Sequence, residues 1–321
     1  MSTQNKKLIV ILGPTASGKS ELAVKLALRL GSGQAKKRFG IDGAEIISAD
    51  SRQVYKGMDI GTGKMTNKEM KGVPHHLLDV ASPKKKFTVV QYRKLVLKAI
   101  NKIFKKGKIP ILCGGTGFYI QAVVDGIVIP EVPPDWKLRK KLEKKSVKEL
   151  YQMLKKLDPQ RAKTIEKENP RRLIRAIEIV LKTDKPVPCP LTRRSLGVGG
   201  SLGVGGYPVL MIGIKKTPAE LKKLIKKRFF QWLEQGFLKE VLRLRKLGLS
   251  WQRIEEFGIH YRTAAQYLQN KISDKEMVER SLIELQNYAK RQLTWFKKDR
   301  RIHWLKNYRE AEKKQRVFLR N

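Results

Sequence analysis

The stretch Gly13-Pro14-Thr15-Ala16-Ser17-Gly18-Lys19-Ser20 constrains this chain more than any other. The apolar run Leu8-Ile9-Val10-Ile11-Leu12 before it reads as a buried strand. After it, Leu22, Ala23, Leu26, Ala27 and Leu30 fall on one helical stripe. Strand, glycine-rich turn and helix are the context that makes a G-x-x-x-x-G-K-[ST] pattern a phosphate-binding loop. Its glycines let backbone N–H groups approach phosphate oxygens, and the helix N-terminus adds partial positive charge. Lys19 reaches a terminal phosphate, and the Ser20 hydroxyl suits Mg²⁺, the expected cofactor. The eight residues are therefore expected to hold a diphosphate or a triphosphate.

A second strand, Glu45-Ile46-Ile47-Ser48-Ala49, delivers Asp50-Ser51-Arg52-Gln53 at its C-terminal end, the end at which ligands sit in open α/β sheets. Asp50 is there either as a helix cap or loop carboxylate, or as a carboxylate facing the ligand. A third, Ile109-Pro110-Ile111-Leu112-Cys113, runs into Gly114-Gly115-Thr116-Gly117, so Thr116 is a second polar group at that edge or a helix cap before Phe118. Val73 to Val80 reads as a short strand or an extended turn, and in a strand His75 and His76 alternate faces and make a poor metal pair. Val209 to Ile214 and Ile302 to Leu305 complete the strands. The fold class is α/β, a P-loop core with a parallel sheet.

Strands vanish between about 126 and 204. Pro130, Pro133 and Pro134 lead into lysine-rich helices, read as a helical insertion into a core of residues 1–125 and 205–321. Its best-marked helix starts at Pro170, a residue suited to a first helical turn. Arg171 and Arg175 lie one turn apart beside Arg172, with Leu173, Ile177, Val180 and Leu181 inward. The arginines either grip phosphates or form a solvated face. The repeated hexapeptide Ser195-Leu-Gly-Val-Gly-Gly then reads as a flexible linker, as the stretch Gly31 to Gly40 reads as a polar loop and the charged C-terminal tail as frayed.

Lys and Arg number 70 against 29 Asp and Glu, a net charge of +41, which favours a polyanionic partner, nucleic acid first. Cys113 and Cys189 lack metal-ligand spacing and read as reduced thiols. No run suits a membrane span and no signal-peptide layout opens the chain, so a soluble, cytoplasmic protein is expected, acting as a monomer.

Taken together, these motifs resemble the bacterial tRNA dimethylallyltransferase (tRNA isopentenyltransferase) family. They are the phosphate loop, Ile47 to Thr62, Pro74-His-His-Leu-Leu-Asp79, Gly114-Gly-Thr-Gly-Phe-Tyr119, Arg172-Leu-Ile-Arg-Ala-Ile-Glu178 and Lys290-Arg-Gln-Leu-Thr-Trp-Phe296. The resemblance implies transfer of a dimethylallyl group from its diphosphate to N6 of an adenosine beside the tRNA anticodon. It implies that the helical insertion grips the anticodon stem-loop. Asp50 would be the general base, Thr116 would contact the adenosine, and Lys19 would serve the leaving group. Asp50, Ser51, Arg52, Gln53 and Thr116, together with Arg171, Arg172, Leu173, Ile174 and Arg175, would face tRNA.

The chain departs from the family's pattern in two places. Leu224 stands where an arginine is usual, leaving Arg228 of that pair, with Lys223, Lys227 or Arg291 to substitute at the diphosphate. His260-Tyr261 stands where Gly-Tyr is common. A small-molecule or nucleoside kinase shares the loop and the acidic residue but offers no reason for the charge. A nucleic-acid-stimulated ATPase needs a carboxylate pair ending an apolar strand, where the third strand here ends in Gly-Gly-Thr.

Overall fold

Leu8–Leu12 (β1) is fully buried along its length, as expected of a strand covered on both faces. The computed structural model describes residues 6–126, 130, 132–187 and 206–320. The chain divides into two units, Met1–Gly126 with Gly200–Asn321, and Ile127–Gly199.

In the first unit the chain passes from β1 through Lys19–Leu30 (α1) and Gly33–Phe39 (α2) to Ala44–Ser48 (β2). Asn67–Met70 (α3), His75–His76 (β3), Val89–Lys105 (α4), Ile109–Gly114 (β4) and Gly117–Val124 (α5) follow. The six strands, completed by two from the C-terminal segment, form one sheet in the order β3-β2-β4-β1-β5-β6. Every pairing is parallel.

The second unit is helical: Trp136–Leu142 (α6), Val147–Leu157 (α7), Pro159–Thr164 (α8) and Pro170–Thr183 (α9). They close over Leu142, Leu150, Leu154, Leu173, Ile174 and Ile177. Side-chain oxygens of Asp135, Ser146, Asp158 and Asn169 cap the four N-termini. Leu181 is half exposed rather than inward, in the last turn of α9. The hexapeptide repeat and Cys189 lie outside the described residues, apart from the closing Gly206.

The first unit resumes with Val209–Ile214 (β5), Pro218–Glu234 (α10), Phe237–Lys246 (α11), Trp251–Glu255 (α12), Ile259–Leu268 (α13), Asp274–Phe296 (α14), Ile302–Leu305 (β6) and Tyr308–Arg320 (α15). Alternate residues of each strand face opposite sides of the sheet. Leu8, Val10, Leu12, Ile47 and Leu112 pack with residues of α4, α5, α10, α11, α13 and α14. Ile9, Ile11, Ile46, Ile111 and Ile212 pack with those of α1 and α15.

Two segments differ from the sequence reading. Gly31 to Gly40 contains α2, anchored by buried Ala35. The tail is an ordered helix, with Ala311, Gln315 and Leu319 buried and Lys7 Nζ donating to Leu319 O at 3.1 Å. The four-residue spacing of its buried side chains is masked in the sequence by the polar Gln315 and the charges between. Only His75 and His76 of the stretch from Val73 to Val80 pair, with Ile46 and Ile47. Among the described residues no helix is long and apolar enough to cross a membrane.

Candidate active site

The registers Leu12↔Gly114 and Ser48↔Cys113 bring the C-terminal ends of β1, β4 and β2 level. The phosphate loop, Gly114 to Thr116 and Asp50 therefore share one sheet edge, where strand order reverses around β1. Close approach there is demanded at Gly114, where a Cβ would lie 2.2 Å from Ala49 O. Gly18 caps α1 at φ 87° and offers no side-chain acceptor, while α3, α4, α7, α10 and α14 carry capping boxes. The first-turn N–H groups of α1 are thus left for an anion. Ala16 holds the left-handed conformation at φ 61°, a strained state typical of ligand loops, and the buried Ser17 hydroxyl has no partner among the described residues.

The cleft over this loop is lined by Thr15, Lys19, Ser20, Asp50, Gln53, Thr62, Cys113, Gly114, Arg228, Tyr288 and Gln292. Lys19 Nζ donates to Pro14 O at 3.2 Å, so it is folded back over its own loop. Burial lowers its pKa, and the positive charge of Arg228 lowers it further. Burial likewise lowers that of Arg228, against the pull of Asp50. Two cations that burial disfavours, with one carboxylate beside them, would be better balanced by a bound anion. Behind the loop, burial raises the Cys113 thiol to about 11, so it stays protonated.

Asp50 does part of the work of a turn cap. Its Oδ1 accepts from the N–H groups of Arg52 at 2.8 Å and Gln53 at 3.3 Å, while Oδ2 has no partner among the described residues. Thr116 occupies the cap position of α5 but does not cap it; its Oγ1 accepts the Ser51 N–H at 3.0 Å. The half-buried Tyr288 side chain lies beside Thr116 and lines the same cleft. A free carboxylate oxygen, a held hydroxyl and an anion-binding loop thus meet in one cleft. Among the described residues no three His, Cys, Asp or Glu side chains form a metal cage. Ser20 and Asp50 offer hard oxygen donors, which fits Mg²⁺ held largely by ligand phosphates and water.

The structure separates other expected site residues from this cluster. Gln53 is a partial exception: it lines the cleft, but its amide accepts from Ser48 Oγ and donates to Thr62 O and Gly63 O, so the side chain is committed to anchoring the loop. Arg52 is half-buried, 5.9 Å from the Phe257 ring. Arg291 is exposed beside Tyr288 and does not line the cleft. Lys223, Lys227 and Leu224 are exposed on α10.

In the helical unit, Leu173 and Ile174 are buried in the core, because they fall on the inner stripe of α9, and present no side chain to a partner. Arg175 is committed to the fully buried Glu178 and to Val132 O, alongside Arg139. Arg172 pairs with Glu166 at 3.2 Å. Arg171 is exposed, with no partner among the described residues. The expected arginine face therefore reduces to Arg171 and the partly engaged Arg172.

Sequence reasoning missed three parts of the site. Gln292 joins the phosphate loop to Gly115. Tyr288 closes the cleft from the same helix. Glu240, buried on α11, accepts the N–H groups of Asp59, Ile60 and Gly61 and the Tyr261 hydroxyl. The signal for Glu240 is an acid three residues after Phe237 and one before Val241, on the apolar stripe of its helix.

The family model described as IPP transferase matches residues 53–299. A tRNA dimethylallyltransferase of Acetivibrio thermocellus is 37% identical over 302 residues, covering 93% of this chain and 91% of the relative. The crystal structure of full-length tRNA isopentenylpyrophosphate transferase from Bacillus halodurans superposes with a TM-score of 0.67 at 33% identity, over 98% of this chain and 95% of that one. A eukaryotic dimethylallyltransferase described as acting on tRNA gives a TM-score of 0.69 at 28% identity, over 91% and 70%.

Proposed function

The chain belongs to the IPP transferase family, and on that premise we propose that it moves a dimethylallyl group from dimethylallyl diphosphate to N6 of an adenosine beside the anticodon of tRNA. The observation that carries the reading is the free Oδ2 of Asp50 in the same cleft as Lys19, Ser20 and Arg228.

An exocyclic adenine amine is a weak nucleophile, since its lone pair is delocalised into the ring. Asp50 Oδ2 takes the N6 proton as the N6–C bond forms and the C–O bond to diphosphate breaks. The departing oxygens gain charge, which the α1 N–H groups, Lys19 and Arg228 stabilise. When bound, Mg²⁺ would be held by Ser20 and the ligand's phosphates and supplies further neutralisation of that charge. Thr116 orients the adenosine, its hydroxyl held by the Ser51 N–H. The target base must leave its stack to enter the cleft, at a cost lower in a loop than in a duplex. Arg171, Arg172 and the overall charge serve the tRNA backbone. The enzyme is read as a monomer working in the cytoplasm, where tRNA is modified.

The test is to incubate the protein and Mg²⁺ with unmodified tRNA and either dimethylallyl diphosphate or ATP, then digest to nucleosides and weigh them. An adenosine heavier by one dimethylallyl group, with diphosphate released, is expected in the first case alone. Phosphorylated product or ATP turnover in place of it would favour a kinase or an ATPase.

A further inference from the structure

Arg228 reaches the cleft without an ion-pair partner among the described residues; what orients it is a short chain of contacts leading away from the ligand. Its guanidinium lies 5.0 Å from the Trp232 ring centroid, one helical turn along α10, and its Nη2 donates to Gly63 O at 3.3 Å. The same indole stacks on the imidazole of His260, with centroids 4.9 Å apart and planes at 29°. His260 Nε2 bonds Gly61 O at 2.6 Å, which puts the proton on Nε2. Both ends of the Arg228–Trp232–His260 row therefore grip one loop, at Gly61 and at Gly63. The loop has little room to give: Glu240 holds the Gly61 N–H, and Gln53 donates to Thr62 O and Gly63 O.

We propose that His260 is a positioning residue for the transfer, setting the Arg228 guanidinium for the diphosphate through the Trp232 ring and the Gly61–Gly63 loop. His260 is buried and does not line the cleft, so it acts through Arg228 and not on substrate. Its Trp232 contact and its Gly61 bond are separable. His260→Phe keeps a ring against Trp232 and loses the donor to Gly61. His260→Gln keeps an N–H donor and loses the ring.

The inference rests on the reading of Arg228 as a diphosphate ligand, and the experiment separates the two. Calorimetry with inorganic diphosphate and Mg²⁺ gives Kd for the parent, for each His260 variant, for Arg228→Ala, and for each His260 change combined with Arg228→Ala. Steady-state kinetics give kcat and the KM for dimethylallyl diphosphate, and filter binding gives Kd for tRNA. Each His260 variant is expected to weaken diphosphate binding about three- to tenfold, the scale of one displaced cation–π contact. Its KM should rise in step while the tRNA Kd is unmoved. In the Arg228→Ala background the same changes should add nothing. A His260 effect that persists in full without Arg228 overturns the proposal, as does a diphosphate Kd unmoved by both variants. Arg228→Ala with unaltered diphosphate affinity would overturn the reading of Arg228 itself. Should a His260 variant fail to fold, Trp232→Leu makes the same comparison from the other side of the stack.

Discussion

The Oε1 atom of Gln292 accepts the backbone N–H of Thr15 at 2.8 Å while its Nε2 donates to Gly115 O at 2.7 Å. One buried amide on α14 thus ties the phosphate loop to the β4–α5 turn that carries Thr116. Space is tight as well, since a Cβ on Gly115 would lie 2.2 Å from that Nε2. Gln292→Glu keeps the acceptor, removes the donor and brings a negative charge beside an anion site. It is expected to lower stability by about 1–3 kcal/mol, the cost of an unsatisfied buried carbonyl, and to raise the KM for dimethylallyl diphosphate. Urea unfolding and kinetics check both. A variant as stable and as active as the parent would show that the bridge does not hold the loop.

The arginines of α9 differ in what already engages them: Arg171 is exposed with no partner among the described residues, and Arg175 is paired with buried Glu178. Arg171→Ala should flatten the plot of log tRNA affinity against log salt by about one unit, as for one lost phosphate contact. Arg175→Ala should instead destabilise the helical unit by roughly 2–3 kcal/mol, because Glu178 loses one of its guanidinium partners while fully buried. Equal salt slopes for parent and Arg171→Ala would mark that side chain as merely solvated.

Much of this architecture was legible in the chain. Strand and helix periods survive where a whole face is buried, so β1, β2, β4, β5 and β6 were placed within a residue or so, and the phosphate loop followed from its flanks. Glu240 and Glu178 were not legible, because a buried acid satisfied by distant backbone N–H groups or arginines looks like any surface glutamate. Gln292 lay inside a recognised motif, yet its role depends on two loops 277 and 177 residues away in the chain. The arginine face failed for a related reason: spacing says which residues share a helix side but not which already have a partner.

His260 also gives the fold a pH dependence. Burial lowers its pKa to about 4, from about 6.5 in an exposed chain. Between those values the unfolded chain takes up a proton that the folded protein refuses, so stability rises with pH across the window and is lost as pH falls through it. The contribution lost between pH 7 and pH 5 is about 2 kcal/mol. His260→Gln removes it, so the fall in unfolding free energy between those pH values should be smaller in the variant by about that amount. His75 and His303, whose pKa values burial also lowers, are common to both proteins and cancel in the difference. Parallel pH profiles would show that His260 is charged in the folded state or neutral in both.

Asp50→Asn tests the base directly. Asparagine keeps the shape, and its Oδ1 can still accept from the Arg52 and Gln53 N–H groups, so the turn should survive. What it cannot do is take the N6 proton at the second position. The single-turnover rate at saturating substrates should fall by roughly 10²–10⁴, the usual contribution of a positioned acid or base. Affinity for tRNA and for dimethylallyl diphosphate should hold or improve slightly, because a negative charge is removed beside two anionic substrates. If Asp50 chiefly served Mg²⁺, raising Mg²⁺ would recover part of the rate. If it were only a turn cap, the rate would be kept and stability would change by about 1 kcal/mol or less. A rate within about threefold of the parent would exclude Asp50 as the general base, since so small a change is well under the least expected of a proton acceptor in the transition state.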